Sequence, residues 1–133
     1  MIEGECFCGA VKYRIDGKLT NGRSCHCSRC RKAFSGAASA YAELEKPETF
    51  AWILGEHNVS RYTSQGDWGL GFCKTCGSTL CGYFQDTVHG VTLGCVNGDP
   101  EVEIRAHLFV ASKAHWDHVG GVAPQYDFHQ PEA

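Results

Sequence analysis

Alternation of apolar and polar residues along the chain predicts β-strands. In "AVKYRI", residues 10–15, every second residue from Val11 is apolar and the residues between are basic. The longest stripe is in "VEIRAHLFV", where apolar side chains recur with a period of two and predict one strand over residues 102–110. Shorter apolar runs separated by Gly, Asn, Asp or Pro predict further strands in "FAWIL", "VSRYT", "LCGYF" and "GVTLGCV".

Helical periodicity is weak. No segment keeps an i, i+3, i+4 apolar pattern over the ~10 residues of an average helix, and only a turn or two after Ser28 is expected. The 16 glycines are scattered through the chain, as is typical of many tight turns. We therefore predict a mainly β, compact fold of antiparallel sheets with few helical turns. It forms a single domain over residues 1–133, of which residues 129–133 are an expected frayed tail.

Charge and segment composition limit the partners and the compartment. The formal net charge of -3 gives no global reason to expect nucleic acid or an anionic membrane surface as a partner. The first residues have no basic region followed by an apolar run, and no stretch approaches the ~18 apolar residues of a membrane span. We therefore expect a cytoplasmic protein.

Nine cysteines are the main chemical signal. In a reducing compartment they would not persist as disulfides, and an odd number cannot pair completely within one chain, so metal ligation is the leading interpretation. A redox dithiol at Cys73 and Cys76 is disfavoured because the surrounding "GLGFCKTCGSTL" is typical of a zinc-ribbon turn. Cys81 and Cys95 lie within apolar runs and are expected to be small buried residues.

The spacing of the other seven cysteines predicts two zinc sites. Two close pairs suit one closed tetrahedral site that would tie the N-terminal loop to a distant one; its predicted ligands are Cys6, Cys8, Cys73 and Cys76. Three more thiols lie in "CHCSRC", residues 25–30, and leave one corner of a second zinc free for water or a substrate thiol; they are Cys25, Cys27 and Cys30. Alternatively Cys81 closes this site, or His26 binds a different ion. We expect the second zinc to be the one lost more readily, since only three thiolates hold it.

Four basic residues surround the three-cysteine segment: Arg23, Arg29, Arg31 and Lys32. They either offset the negative charge of three thiolates on Zn²⁺ or bind an anionic thiol such as glutathione, whose carboxylates suit an Arg fork.

Other polar and aromatic residues give weaker signals. His107 lies on the polar face of the predicted strand 102–110, and it is not assigned a catalytic role; nor are His89, His115 and His118. Four aromatic residues would suit a cleft but are expected in the core, as is usual in a small β domain: Tyr62, Trp68, Phe72 and Trp116.

Several segments together resemble a known family. "GECFCGAVKY", "CHCSRCRKAFSG", "FCKTCGSTL" and "HLFVASKAHW" followed by "PQY" are similar, in order and spacing, to the motifs of the glutathione-dependent formaldehyde-activating enzyme family, which includes centromere protein V. The resemblance runs from Gly4 to Tyr126. It implies an Mss-like zinc fold with a closed four-cysteine zinc and a second, catalytic zinc, matching the division of cysteines given above.

The resemblance also implies an activity. The family's named reaction is the condensation of glutathione with formaldehyde to S-(hydroxymethyl)glutathione, which is classed with the carbon-sulfur lyases. Two other functions remain open: a structural zinc or adaptor module without catalysis, and an enzyme of the same family that acts on a different thiol adduct or aldehyde.

Overall fold

Eleven strands and one short α-helix form the part of the chain that the computed structural model describes, residues 1–64 and 66–131. The strands are β1 Ile2–Glu5, β2 Lys12–Ile15, β3 Leu19–Cys25, β4 Tyr41–Leu44, β5 Phe50–Leu54, β6 Val59–Thr63, β7 Trp68–Cys73, β8 Thr79–Phe84, β9 Thr87–Thr92, β10 Val96–Asn97 and β11 Ala106–Leu108. The helix is α1, Ser28–Phe34. Short 3-10 helices of three residues each lie at Pro47–Thr49, Glu56–Asn58, Leu93–Cys95 and Val110–Ser112.

The strands form two sheets around one hydrophobic core. A four-stranded antiparallel sheet has the order β10-β1-β2-β5, and a seven-stranded sheet has the order β11-β3-β4-β9-β8-β7-β6. Both sheets contribute to a continuous cluster that includes Tyr13 and Ile15 from the first and Leu80 and Val91 from the second. The predicted mainly β class with antiparallel sheets is confirmed.

Most predicted strands form where the apolar runs lie. The segments "FAWIL" and "VSRYT" coincide with β5 and β6. In β2, Tyr13 and Ile15 are buried whereas Lys12 is exposed, as the alternation predicts. The helical turn expected after Ser28 is α1.

The predicted strand over residues 102–110 is wrong in length. Only β11 pairs, and it runs parallel to β3, with Ala106 opposite Arg23. Residues 102–105 keep an alternation of half-buried and exposed side chains without joining a ladder, and Phe109 ends the extended segment because its φ is 54°. A period-two pattern thus predicts which side chains of an extended segment are buried, but not whether its backbone pairs with another strand.

The segment after β11 returns to that strand. Tyr126 donates its backbone N–H to His107 at 2.8 Å, and Phe109 donates to Phe128 at 3.0 Å. His129, in the part expected to fray, lies with its ring centroid 4.7 Å from that of Phe109.

Candidate metal centres and the adjoining cavity

Four cysteine thiols converge where the end of β1 meets the turn between β7 and β8. Cys6, Cys8, Cys73 and Cys76 have their sulfur atoms within 4.8 Å of one another. The Sγ atoms of Cys6 and Cys8 are 3.6 Å apart, and those of Cys8 and Cys73 are 3.8 Å apart. Zinc bonded tetrahedrally to sulfur at about 2.3 Å requires sulfur atoms about 3.8 Å apart, so this group could hold such an ion.

Two similar turns aim these thiols. Gly9 donates its N–H to the carbonyl of Cys6, and Gly77 donates to the carbonyl of Cys73. Both glycines have a φ near +80°, which side-chain-bearing residues rarely adopt. The C-x-C-G and C-x2-C-G sequences therefore fold locally into the two halves of one ligand group.

Polar hydrogens point at the sulfurs of this group. The backbone N–H of Val11 lies 3.3 Å from Cys6 Sγ, and the side-chain amide of Asn58 lies 3.4 Å from Cys73 Sγ. Hydrogen bonding from Ser78 lowers the pKa of the Cys76 thiol to about 5. This lowered pKa favours the thiolate of Cys76, the form that binds metal.

The second group lies at the junction of β3 and α1. Cys25 ends β3, Cys27 precedes the helix and Cys30 lies in its first turn, and their sulfurs are also within 4.8 Å of one another. Cys27 Sγ caps the helix by accepting the backbone N–H of Cys30 at 3.4 Å. A hydrogen bond from Cys30 lowers the pKa of Cys25 to about 6, although burial opposes this shift.

Neither alternative fourth ligand belongs to this group. Cys81 is fully buried in the hydrophobic core. His26 is only 3% exposed, and its Nε2 lies 3.0 Å from Nδ1 of His107. In the ranges that the structure describes, the group of potential ligands at this point contains three cysteines and no fourth residue.

His26 is held as a neutral ring. Burial, followed by the neighbouring His107, lowers its pKa, so its contact with Asp117 at 4.0 Å is not an ion pair at neutral pH.

An open cavity of about 780 Å³ begins at the three-cysteine group and extends across the seven-stranded sheet. Cys25 and Cys30 line it, whereas none of the four cysteines of the first group does. This volume falls in the ~300–1,000 Å³ range of small-molecule sites.

Three of the four predicted basic residues line this cavity: Arg23, Arg29 and Lys32. Arg31 does not, which corrects its expected role beside the others. Its guanidinium lies 3.4 Å from the backbone carbonyls of His26 and Ser112. These two contacts anchor the Arg31 guanidinium outside the cavity lining.

Arg23 is already paired inside the cavity wall. Its guanidinium lies 2.8 Å from Oε2 of Glu43, and His89 Nε2 lies 3.0 Å from the other carboxylate oxygen, Oε1. Burial opposes ionisation, but hydrogen bonds from Asn21 and Arg23 together with the Arg23 charge hold the pKa of Glu43 below its usual value. Glu43 therefore stays ionised and offsets the charge of Arg23.

Two hydroxyl-bearing residues of the cavity were not found by sequence reasoning. Ser39 Oγ accepts the backbone N–H of Cys25 at 3.0 Å, and Tyr41 has its hydroxyl 3.0 Å from His89 Nδ1. Both line the cavity. They lie in "AASAYAEL", residues 37–44, which carries no motif. Two hydrogen bonds join Ser39 to Cys25, and the pairing of β4 with β3 and β9 places Tyr41.

Two aromatic residues expected in the core lie at the cavity instead. Tyr62 is 62% exposed and Trp68 is 51% exposed, and both line the cavity. Trp116 is 69% exposed and is not a cavity residue, so the core prediction is wrong for all three. Phe72 is partly buried.

None of the helices in the described part of the chain has the length and apolar character of a membrane span.

Comparison with known proteins places the fold and the family. The crystal structure of a protein from Rhodobacter sphaeroides aligns with 93% of this chain and 99% of its own, with a TM-score of 0.56 and 23% sequence identity, which shows a shared fold. A Halomonas elongata protein provisionally named a glutathione-dependent formaldehyde-activating enzyme is 29% identical over 87% of this chain and 79% of its own. A protein of Schizosaccharomyces pombe named an uncharacterised lyase is 33% identical over 80% of this chain and 67% of its own. The family model described as glutathione-dependent formaldehyde-activating enzyme matches residues 1–112, and the chain belongs to that family.

Proposed function

We propose that this protein is a zinc-dependent enzyme of the carbon-sulfur lyase type, and that it condenses glutathione with formaldehyde to S-(hydroxymethyl)glutathione at the Cys25–Cys30 group. The observation that carries the proposal is that two of these three cysteines line an open cavity, while the four-cysteine group does not. Catalytic zinc keeps one corner open to substrate, whereas structural zinc is closed by protein ligands. Family membership and the name of the Halomonas relative support the choice of substrates.

Both cysteine groups suit zinc by their donor type. Cys6, Cys8, Cys73 and Cys76 would hold a structural ion, and Cys25, Cys27 and Cys30 would hold the second. When bound at three thiolates with an open corner, zinc keeps an incoming thiol in its nucleophilic thiolate form near neutral pH. The cytoplasmic setting expected from the sequence fits cysteines that remain reduced.

Different residues of the cavity would bind glutathione and stabilise the oxygen of the aldehyde. Arg29 and Lys32 are exposed on α1 and would bind the carboxylates of glutathione. In the reaction the sulfur of glutathione bonds to the carbonyl carbon, the electron pair of the broken C=O π bond moves to oxygen, and one proton completes the hydroxyl group. Ser39 would donate a hydrogen bond to that oxygen, because its Oγ already accepts from Cys25 and its own hydrogen is free to point into the cavity.

The test is the rate of exchange between formaldehyde and S-(hydroxymethyl)glutathione, followed by NMR with the zinc-loaded protein. We expect the wild type to exceed the uncatalysed rate, which must be subtracted because thiols add to formaldehyde unaided. Cys27→Ser should return the rate to that background, since two thiolates hold zinc poorly. Cys95→Ser, which removes a thiol outside both groups, should retain the wild-type rate.

A wild-type rate equal to the background would overturn the proposed reaction. The adaptor alternative has less support, because it requires a fourth protein ligand at the second site and the described residues bring none to it.

A further inference from the structure

The cavity has two chemically different sides. On α1 it is lined by Arg29 and Lys32, and no carboxylate of the described residues lies within ion-pair distance of either. Strands β6 and β7 contribute Tyr62, Trp68 and Leu70 to the same cavity. Within residues 1–64 and 66–131, no Asp or Glu lines the cavity. Because Arg23, the third basic residue of the lining, is already paired with Glu43, an anionic group would find its cationic partners on α1.

The pairing of β6, β7 and β8 builds the apolar side. Tyr62 lies opposite Leu70, and Leu70 lies opposite Gly82, so these positions share one face of the sheet. Trp68, two residues before Leu70, is on the same face, and its ring centroid is 4.8 Å from that of Phe84. We call Tyr62, Trp68 and Leu70 the aromatic wall.

In the strand order of the sheet, Tyr41 on β4 lies between this wall and Cys25 on β3. A Cβ atom at Gly82 would lie 2.5 Å from the hydroxyl of Tyr41, so glycine is needed for the tyrosine ring to lie across this strand. The contact between Tyr41 and His89, and that between His89 and Glu43, hold the ring in this position. Because Glu43 also offsets Arg23, the inner surface carries little net charge.

Formaldehyde does not account for the aromatic wall. Its single carbon, bonded to a sulfur at the Cys25–Cys30 group, cannot cover two large aromatic side chains that are each more than half exposed. Exposed aromatic surface beside polar and cationic groups is typical of a ligand site rather than of a free surface.

We propose that the aromatic wall is a second subsite that binds the carbon side of a glutathione adduct, and that the substrate class includes aromatic aldehydes. The adduct would place its carboxylates at Arg29 and Lys32 and its aryl ring against Trp68. The reaction is the addition already described: the sulfur–carbon bond forms, the C=O π bond breaks, and the thiol proton passes to the oxygen to give a hemithioacetal. This inference rests on the proposed function for its chemistry, but not for its geometry.

Binding of stable thioethers tests the subsite without turnover. S-benzylglutathione places an aryl ring on the carbon side of the sulfur, and S-methylglutathione places a single carbon there. By titration calorimetry we expect the zinc-loaded protein to bind the benzyl compound about tenfold more tightly, since its ring buries more apolar area and makes an aromatic contact that the methyl group cannot make. Equal affinities would overturn the subsite whether or not the protein catalyses any reaction.

Variants locate the effect. Trp68→Ala should remove most of the preference for the benzyl compound. Tyr62→Ala is a second variant of the aromatic wall, at a more exposed side chain, and should also lower the preference. Trp116→Ala removes an exposed tryptophan that is not part of the cavity and should preserve the preference. A preference that survives both wall variants, or that is lost in Trp116→Ala, would contradict the assignment.

Rates distinguish this inference from the proposed function. We expect benzaldehyde to be accelerated over its uncatalysed addition to glutathione, and Trp68→Ala to lower that acceleration about tenfold while lowering the formaldehyde rate less. A preference for S-benzylglutathione without any formaldehyde exchange would overturn the proposed reaction and leave the subsite supported. Formaldehyde exchange with equal thioether affinities would do the reverse.

Discussion

Ser39 shows how a residue without a sequence signal becomes part of the site. Its backbone N–H is donated to the carbonyl of Cys25 at 3.0 Å, and its Oγ accepts the N–H of Cys25, also at 3.0 Å. Ser24 donates its hydroxyl to the Ser39 carbonyl at 2.7 Å, so the loop and the end of β3 are joined at several points. The proposed reaction assigns the hydroxyl hydrogen of Ser39 to the substrate oxygen.

Ser39→Ala is therefore expected to lower kcat for the formaldehyde reaction about 100-fold, the size of effect seen when one donor to a developing oxyanion is removed, with a smaller effect on KM. Ser39→Thr, which keeps the hydroxyl, should restore most of kcat. The measurement is steady-state kinetics by NMR with zinc content determined for each variant.

The control is Ser112→Ala, an exposed hydroxyl outside the cavity, which should leave both constants unchanged. If Ser39→Ala loses zinc, or if Ser39→Thr is as slow as the alanine variant, Ser39 supports the loop and does not act on the substrate.

At the scale of elements, α1 is a seven-residue helix that places two charged side chains and one cysteine at the cavity. Its first turn is capped by a cysteine sulfur, and it ends at Ser35, whose φ of 54° lies in the left-handed region. A residue with a Cβ atom pays ~1–2 kcal/mol for that conformation, which glycine adopts freely.

We expect Ser35→Gly to raise the free energy of unfolding by about 1 kcal/mol, measured by urea denaturation of the zinc-loaded protein. Ala33→Gly is the matched control, because it replaces alanine by glycine within the same helix, where it should lower stability by ~0.5–1 kcal/mol. A loss of stability in Ser35→Gly would mean that the serine side chain makes a contribution larger than the strain it causes.

Sheet pairing also decides which elements reach the site. β3 carries Cys25 and Arg23, β4 carries Tyr41 and Glu43, and both lie next to strands from distant parts of the chain. The parallel pairing of β11 with β3 brings His107 beside Ser24, from where its ring contacts His26. Neither the ion pair that offsets Arg23 nor the packing of His26 could be read from the sequence, because each partner lies 20 residues or more away.

At the scale of the whole molecule, the four-cysteine group joins regions that are far apart in sequence. Cys8 and Cys73 are 65 positions apart, whereas the second group lies within one segment of six residues. A cross-link that closes a long loop removes more conformational freedom from the unfolded chain than one that closes a short loop.

Loss of metal from the two groups should consequently have different effects. Cys73→Ser is expected to lower the melting temperature strongly or prevent folding, while Cys27→Ser should keep a cooperative transition close to that of the wild type and lose activity. Thermal denaturation with and without a zinc chelator measures both effects, and Cys95→Ser controls for the loss of a thiol. A Cys73→Ser variant that melts like the wild type would show that the four-cysteine group is not needed for folding.

The sequence by itself determined the features that depend on nearby residues. These include the division of seven cysteines into two groups, the turns that aim them, the bounds of β5 and β6, and the short helix after Ser28. Ligand spacing and period-two alternation are local properties, so they can be read along the chain.

Only the tertiary structure decided what surrounds the second cysteine group. It shortened the strand predicted over residues 102–110 to β11, turned Arg31 away from the cavity, paired Arg23 with Glu43, and exposed Tyr62 and Trp68 beside the site. Composition identifies these side chains as charged or aromatic, but their exposure and partners depend on which distant strands pair with their own. The order of the strands in the sheet therefore determines which side chains line the cavity, whereas local spacing determines how its cysteines are grouped.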